Sequence, residues 1–272
     1  MLRVASLRKS LERLALVPGD LVLARQVDEE HVLVERREPR TFALERHTAG
    51  GRRKTMAANV DGIAIVSALA DPPPHLGMID ELLAFAQIEE LGARLVLTKP
   101  DLAAPGAAPL YRGLGYVVLV VNPKTGQGIE EFARELAGRR TLLIGQSGVG
   151  KSSLFRALGG HAEVGDVSKT GRGRQTTSAG RLHRFEAGFL IDSPGVGEFE
   201  LHEAGSTLIA TGFREFAAYI SSCRFSDCTH RDEPGCSVRG AVGAGTIAAS
   251  RYASYLSILA REGDGTPSVQ RV

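Results

Sequence analysis

The 272-residue chain contains no tryptophan and only three methionines and three cysteines, and its aromatic residues amount to 6%. No apolar run approaches the roughly 20 residues that a bilayer-spanning helix requires, so an α-helical membrane protein is excluded. The cysteines exclude a disulfide scaffold: all three fall within residues 223–236, a 14-residue stretch, whereas a stapled fold needs more of them, spread more widely. Net charge is nearly absent at +2. There is no internal repeat and no low-complexity tract, which excludes a solenoid. The first residues, MLRVASLRKSLERL, are basic but lack the continuous apolar core and small-residue cleavage site of a secretory leader, so a cytoplasmic location is expected.

What remains is the composition of a globular protein, 43% hydrophobic and 24% charged. The small net charge hides an uneven distribution. Residues 1–57 carry 12 Lys and Arg against 8 Asp and Glu, and residues 139–185 carry 9 against 2. A phosphate-rich partner would feel these two regions first, although charge alone fits an ordinary solvated surface equally well.

Residues 1–57 read as short β segments, LVPGDLVLARQ, EHVLVERREP and TFALERH, followed by a basic loop, GGRRKT. Val/Leu alternation broken by Pro-Gly and Glu-Pro predicts a small barrel or part of one. From residue 58 strands and helices alternate. VDGIAIVSAL, ARLVLTKPD, YVVLVVNPKTG and TLLIG read as strands, and HRFEAGFLIDSPG holds two more. MIDELLAFAQIEELG, IEEFARELAG and SSLFRALGG read as helices, the first with Asp80 and Glu81 in its opening turn and Gly92 just past its end. This rhythm predicts an α/β domain with a parallel-type sheet covered on both faces. After residue 205 the pattern is helical. In VGAGTIAASRYASYLSILAREG, Tyr252, Tyr255, Leu256 and Leu259 share one face, expected to pack on the domain. The tail GDGTPSVQRV reads as disordered. The expected domains are 1–57, 58–205 and 206–272.

The chemistry begins at TLLIGQSGVGKSSLF. Gly145, Gln146, Ser147, Gly148, Val149, Gly150, Lys151 and Ser152 fit G-x-x-x-x-G-K-[ST] between a strand and a helix. Such glycines let the backbone wrap phosphates, with Ser153 next to the hydroxyl of Ser152 at the helix start. Lys151 is expected to reach the β- and γ-phosphates and Ser152 to offer its hydroxyl to Mg²⁺. The motif alone does not separate ATPases, kinases and GTPases. Asp192-Ser193-Pro194-Gly195 closes the strand GFLID, and an acidic strand end followed by a glycine amide suits the γ-phosphate side of a GTPase site. Between the two lies VSKTGRGRQTTSAG, a Gly/Thr/Arg-rich loop of switch character in which Thr176 or Thr177 would give the second hydroxyl to Mg²⁺.

No guanine-reading N/T-K-x-D segment follows residue 195. One precedes the phosphate loop: Thr98-Lys99-Pro100-Asp101 ends the strand ARLVL, and Asn122-Pro123-Lys124 ends the next, standing where a second guanine-contacting loop belongs. The motif order is base-reader, second loop, phosphate loop, switch, D-x-P-G. This is a rotated GTPase set, allowed because each motif needs only its own strand end on one sheet edge. Asp101 is expected to accept from guanine N1 and N2. Separately, Cys223, Cys228, His230 and Cys236 have the spacing of a closed Cys3His zinc site.

These residues resemble the ribosome small-subunit-dependent GTPase A family of circularly permuted GTPases. The resemblance is carried by VPGDLV, AANVDGIAIV, TKPD, GQSGVGKSSL, GRGRQTT, DSPGVGEF, CRFSDCTHRDEPGCSV and RYASYL, nearly the whole chain. It implies an N-terminal OB-type barrel, a circularly permuted P-loop GTPase domain and a C-terminal zinc-binding helical domain. It implies a GTP hydrolase, slow and stimulated by the 30S small ribosomal subunit, that binds GTP and GDP with Mg²⁺, contacts 16S rRNA and assists late maturation of the subunit, as a monomer and away from membranes. The alternative is an RNA-binding assembly placeholder that uses GTP as a conformational latch. Residues 1–57 are short for five strands, so LRVASLRKS is expected to supply an early strand of an incomplete barrel. Thr98 stands in place of the family's usual Asn, and Gln175 in place of its usual His. Val196, after D-x-P-G, cannot orient a water; Gln175 is expected to do so, the alternative being an RNA or ribosomal group supplied in trans. Arg36, Arg37, Arg40, Arg52, Arg53 and Lys54, with Lys169, Arg172 and Arg174, are expected phosphate contacts.

Overall fold

The computed structural model describes residues 4–7, 16–29, 31–47, 53–159, 181–185, 188–192 and 205–262. The expected switch, the turn 193–195 and the tail 263–272 lie outside the described residues, as does Arg52. The chain divides into two compact units.

The first unit comprises Met1–Gly62, Asn122–Gly145 and Gly150–Gly197. Its N-terminal strands are short because turn signals interrupt the Val/Leu alternation every few residues. Strand β1 (Val4–Leu7) lies parallel to β3 (His31–Arg37), and β2 (Val22–Gln26) runs antiparallel to β3 on its other side. Strands β4 (Ala43–His47) and β5 (Arg53–Ala58) form a separate antiparallel pair. Among the described residues these are two small sheets and not a closed barrel. Register shifts at Leu23/Ala24 and Leu44/Glu45 interrupt the ladders, as bulges do where pairing ends. Among the described residues strand β2 is an edge with every residue exposed, and Leu21 and Val27, which flank it, are exposed too.

Polar contacts hold this part together. Gly19, at φ +91°, lies so close to Ala58 that a Cβ would fall 1.9 Å from the Ala58 carbonyl oxygen, and the Ala58 amide donates to the Pro18 carbonyl at 2.9 Å. The buried Asn59 accepts from the Thr41 amide and hydroxyl at 2.8 and 3.1 Å and donates to the Gly19 carbonyl at 3.0 Å. Arg40 grips both oxygens of Asp20 at 2.6 and 2.9 Å and reaches the Thr55 hydroxyl at 3.0 Å. The α/β part of the unit contains helix α3 (Ile129–Glu135), β9 (Arg140–Ile144), α4 (Lys151–Ala157), β10 (Arg181–Phe185) and β11 (Gly188–Asp192). Strand β11 pairs in parallel with β9 and antiparallel with β10, so the sheet is mixed, not wholly parallel. Phe155 on α4 stacks at 3.9 Å on the His183 ring of β10.

The second unit comprises Ile63–Val121, Gln146–Val149 and Glu198–Val272. Strand β6 (Gly62–Ala68), of which all but the first residue belongs here, is buried throughout, as the unbroken apolar run requires. Strand β7 (Gly92–Thr98) follows it across the sheet and pairs in parallel with β8 (Val117–Val121), Thr98 opposite Val121. Helix α1 (Leu76–Ile88) starts two residues earlier than the apolar periodicity suggests, because the His75 ring accepts from the Met78 amide at 2.9 Å and caps it. Asp80 and Glu81 therefore sit beyond the first turn, and both are buried. After α2 (Ala108–Gly113) come the short helices α5 (Ser206–Thr211), α6 (Ala217–Ile220), α7 (Ser237–Gly243) and the longer α8 (Ala249–Glu262). Residues 206–220 do not form one helix: α5 ends at its cap Gly212, whose backbone presses against Ala84 of α1, Phe213 is extended, and a 3₁₀ turn, Arg214–Phe216, precedes α6. On α8 the buried face is Arg251, Ser254, Tyr255, Ile258 and Leu259, rotated from the expected stripe so that Tyr252 and Leu256 are only half-buried. No helix among the described residues is long and apolar enough to cross a membrane.

Candidate functional site

The phosphate loop is shaped by two left-handed glycines, Gly148 at φ +79° and Gly150 at φ +99°, a conformation a side chain resists. Gly150 caps α4 with no side-chain bond. Val149 is buried and anchors the loop, while Ser147 and Ser152 are exposed and Gln146 and Ser153 lie half-buried. In the first unit the Lys151 ammonium donates to the Gly145 carbonyl at 2.6 Å, closing the loop on itself. Burial lowers the Lys151 pKa, and the nearby Asp192 carboxylate opposes that shift. Lys151 and Asp192, separated by 41 positions, are thus electrostatic neighbours. An incoming phosphate would take over the lysine from a backbone carbonyl and favour its charged form.

In the second unit the base-reader is tied to the same loop. Thr98 is fully buried at the end of β7. Its hydroxyl lies 2.6 Å from the Val149 carbonyl, to which it donates, and 3.4 Å from the Ser67 carbonyl. The Thr98 carbonyl accepts the Leu69 amide at 2.9 Å. Lys99 takes a left-handed φ of +56° and donates its ammonium to the Asp71 carbonyl. Pro72 approaches the phosphate loop too: a Cβ at Gly148 would meet its Cδ at 3.7 Å. Pro100 is half-buried and Asp101 exposed at the loop's tip. The segment 69–75 had no functional reading in the sequence, although Asp-Pro-Pro-Pro marks a turn; nothing in the pattern says which loop it touches.

Asn122 continues from β8 and builds its own loop. It is buried, its amide donates to the Gln127 carbonyl at 2.9 Å, and its side-chain oxygen accepts the Lys124 amide at 3.0 Å. Its side chain is therefore engaged in shaping the turn, while Pro123 is half-buried and Lys124 exposed. Gln175, Thr176, Thr177 and Gly195 lie outside the described residues.

The candidate metal ligands come together in the second unit. The candidate ligand atoms of Cys223, Cys228, His230 and Cys236 all lie within 4.8 Å of one another, and His230 Nδ1 is 3.6 and 3.5 Å from the sulfurs of Cys223 and Cys236. All three cysteines are free thiols. Burial pushes the Cys228 thiol up to about 12 and lowers the pKa of His230. Burial also opposes the Cys223 thiolate, but hydrogen bonds from the Ser237 and Val238 backbone outweigh it and lower that pKa, so the pocket favours a neutral imidazole and one thiolate, a set that a divalent soft-ligand cation would satisfy. Glu233 braces the knuckle, accepting from the Thr229 amide and hydroxyl at 2.7 and 2.5 Å and from the Arg231 amide at 2.9 Å. Burial opposes ionisation of Glu233, yet these bonds hold its carboxyl down at about 2. Its bracing role was not legible from spacing alone.

Of the basic residues expected to meet phosphate, Arg36 pairs with Glu38 and Arg40 with Asp20. Arg37 is half-buried and Lys54 exposed.

Residues 37–202 match the family described as RsgA GTPase. The chain is 42% identical over 267 residues to the small ribosomal subunit biogenesis GTPase RsgA of Sodalis glossinidius (strain morsitans), covering 92% of this chain and 76% of that one. It is 38% identical over 260 residues to the protein of the same name from Moorella thermoacetica, covering 93% and 87%. Among solved structures it is similar to YjeQ from Thermotoga maritima, with a TM-score of 0.75 and 30% identity over 96% of this chain and 90% of that one. The fold is also shared with YloQ, described as a circularly permuted GTPase, with a TM-score of 0.73 at 24% identity over 97% and 88%.

Proposed function

The chain belongs to the RsgA GTPase family, and we propose that it is a GTP hydrolase that assists biogenesis of the small ribosomal subunit. The observation that carries this reading is the Thr98–Val149 bond, which joins a base-reading segment to a phosphate loop that follows it in the chain. A kinase or ATPase assignment has no use for a T-K-x-D segment in that place.

In this reading Asp101 accepts from guanine N1 and N2, Lys99 lines the base pocket, and Asn122 shapes the second guanine loop with Pro123 and Lys124. The loop from Gly145 to Ser153 wraps the phosphates. Lys151 leaves the Gly145 carbonyl for the β- and γ-phosphate oxygens. Ser152, with Thr176 or Thr177, would hold Mg²⁺, which neutralises charge developing on the phosphates. Asp192 stands beside Lys151, and the Gly195 amide would meet the γ-phosphate. Gln175 orients the attacking water. As that water's oxygen bonds to γ-phosphorus, the bond to the β–γ bridging oxygen breaks, leaving GDP and phosphate. Cys223, Cys228, His230 and Cys236 would hold one structural zinc.

We assign the parts as an OB-type module at 1–57, supported by its alternating strands, a permuted GTPase domain at 58–205 and a zinc-bearing helical domain at 206–272. We read the protein as a cytoplasmic monomer that contacts 16S rRNA through its basic N-terminal strands and switch. With Arg36 and Arg40 engaged internally, Arg37 and Lys54 are the stronger phosphate contacts of the N-terminal part.

The test is GTP turnover with and without purified small subunits, with ATP as control. Turnover is expected to rise with subunits and to be specific for GTP. Asp101→Asn should lose GTP and gain xanthosine triphosphate; unchanged GTP affinity in that variant would remove the base-reader from the site.

A further inference from the structure

The RYASYL segment on α8 belongs to neither the nucleotide site nor the metal knuckle, yet it touches the surroundings of both. Arg251 is fully buried, a rare condition for an arginine. Its Nε and Nη2 donate to the two oxygens of Glu215 at 2.7 and 3.2 Å, and Nη1 donates to Asp80 Oδ1 at 2.7 Å. The Tyr111 hydroxyl donates to the same Asp80 oxygen at 2.7 Å. On the metal side of α8, the Tyr252 hydroxyl donates to the His230 carbonyl and the Tyr255 hydroxyl to the Thr229 carbonyl, both at 2.6 Å. In return Arg231 donates to the Leu259 carbonyl at 2.7 Å. One helix therefore grips the backbone of a metal ligand and a carboxylate of α1. Helix α1 packs in turn on β7, the strand whose last residue, Thr98, holds the phosphate loop.

A buried ion cluster is a weak source of net stability, because desolvation cancels most of its attraction and a well-packed apolar set would serve as well. Its distinctive property is fixed geometry: a planar fork accepts carboxylates only in set directions. Here that fork sets α8 against α1 inside the second unit. We propose that Arg251 is a positioning residue that, through Asp80, fixes the guanine-reading end of β7, and that Tyr252 and Tyr255 make this position depend on a metal-loaded knuckle, so that guanine-nucleotide affinity falls when the metal is lost. The inference rests on the assignment of Thr98–Asp101 to guanine.

The full chain is tested with fluorescent GDP, IDP and ADP, titrated before and after zinc chelation, with metal content and circular dichroism measured on each sample. IDP lacks the 2-amino group that Asp101 would recognise, so the GDP-to-IDP ratio reports the reader and not the amount of folded protein. For the parent chain, chelation is expected to weaken GDP binding about fivefold or more, the lower end of ordinary coupling between sites, to narrow the GDP-to-IDP ratio, and to reverse on adding zinc. Arg251→Lys keeps the charge but not the fork, and should narrow the ratio even when zinc-loaded. The double variant Tyr252→Phe with Tyr255→Phe keeps both rings, and its GDP affinity should no longer respond to chelation. If Arg251→Lys fails to fold, the tyrosine pair decides the matter alone. An unchanged GDP-to-IDP ratio in metal-free, folded parent chain overturns the proposal, as does a tyrosine pair that responds to chelation as the parent does. A parent chain that binds ADP as tightly as GDP instead removes the guanine assignment beneath it.

Discussion

Thr98 performs its work with one hydroxyl. Being fully buried, it has no water to replace its bond to the Val149 carbonyl. Thr98→Val keeps the shape and strands that carbonyl, at a cost of about 1–3 kcal/mol for an unsatisfied buried group. The expected outcome is a lower melting temperature together with weaker GDP binding, read by thermal melts and nucleotide titration. The T-K-P-D pattern was legible in the sequence because strand-end motifs are local. Its partner was not, since the bond spans 51 positions and no pattern records where a hydroxyl points. Arg251 was illegible for a different reason: apolar periodicity treats an arginine as a solvent-facing residue, and only Asp80 and Glu215, 171 and 36 positions away, make its burial tolerable. Burial opposes the Arg251 charge, but the bond to Glu215 and the charges of Asp80 and Glu215 outweigh it and raise its pKa. The Cys3His cluster, by contrast, was legible, because its four side chains are spaced within one short segment.

At the scale of elements, helix ends and breaks decided what the apolar pattern left open. The sequence pattern located α1, β6, β7, β8 and the strand feeding the phosphate loop. It could not see that His75 caps α1, which moves Asp80 from a terminal turn to a buried one. Nor could it see that Gly212, the cap of α5, lies against Ala84 of α1. A Cβ there would lie 2.8 Å from both the Cβ and the carbonyl oxygen of Ala84, so α5 can approach α1 only as glycine. Gly212→Ala should destabilise the protein by roughly 1–3 kcal/mol, the usual range for overpacking. A denaturant melt checks this; a midpoint equal to the parent's would mean that α5 and α1 are not pressed together there. The N-terminal alternation located the strands, but not how they group into two small sheets among the described residues, because alternation specifies a face and not which neighbour covers it.

At the scale of the whole molecule, acid should weaken the fold through identifiable carboxylates. The bond to Arg140 lowers the pKa of Asp61; for Asp20 burial opposes, but the bond to Arg40 outweighs it; Glu233 is held at about 2 against an ordinary 4.5. Each is depressed in the folded state, so its contribution is complete above its unfolded value and is lost as pH falls toward its folded one. Stability should therefore decline progressively below pH 4.5, and Glu233→Gln should flatten the decline between 4.5 and about 2 while lowering stability at neutral pH, as measured by melts across that range. Zinc removal should act mainly on the helices from 205 to 262, which have short elements and a knuckle at their centre. Limited proteolysis after chelation is expected to cut first in that region, and equal resistance with and without metal would deny the zinc a structural role.

The exposed aliphatic row on β2 carries a practical consequence. Val22 and Leu23 of β2, with Leu21 and Val27 flanking it, lie at what is a sheet edge among the described residues, the arrangement most prone to edge-to-edge association between copies. Concentrated salt strips nucleic acid from a basic protein, and kosmotropic salts such as sulfate also strengthen apolar contact. Stripping the RNA proposed to bind this protein with ammonium sulfate is thus expected to drive its aggregation. A charged substitution at Leu23 would let the two effects be separated on the bench.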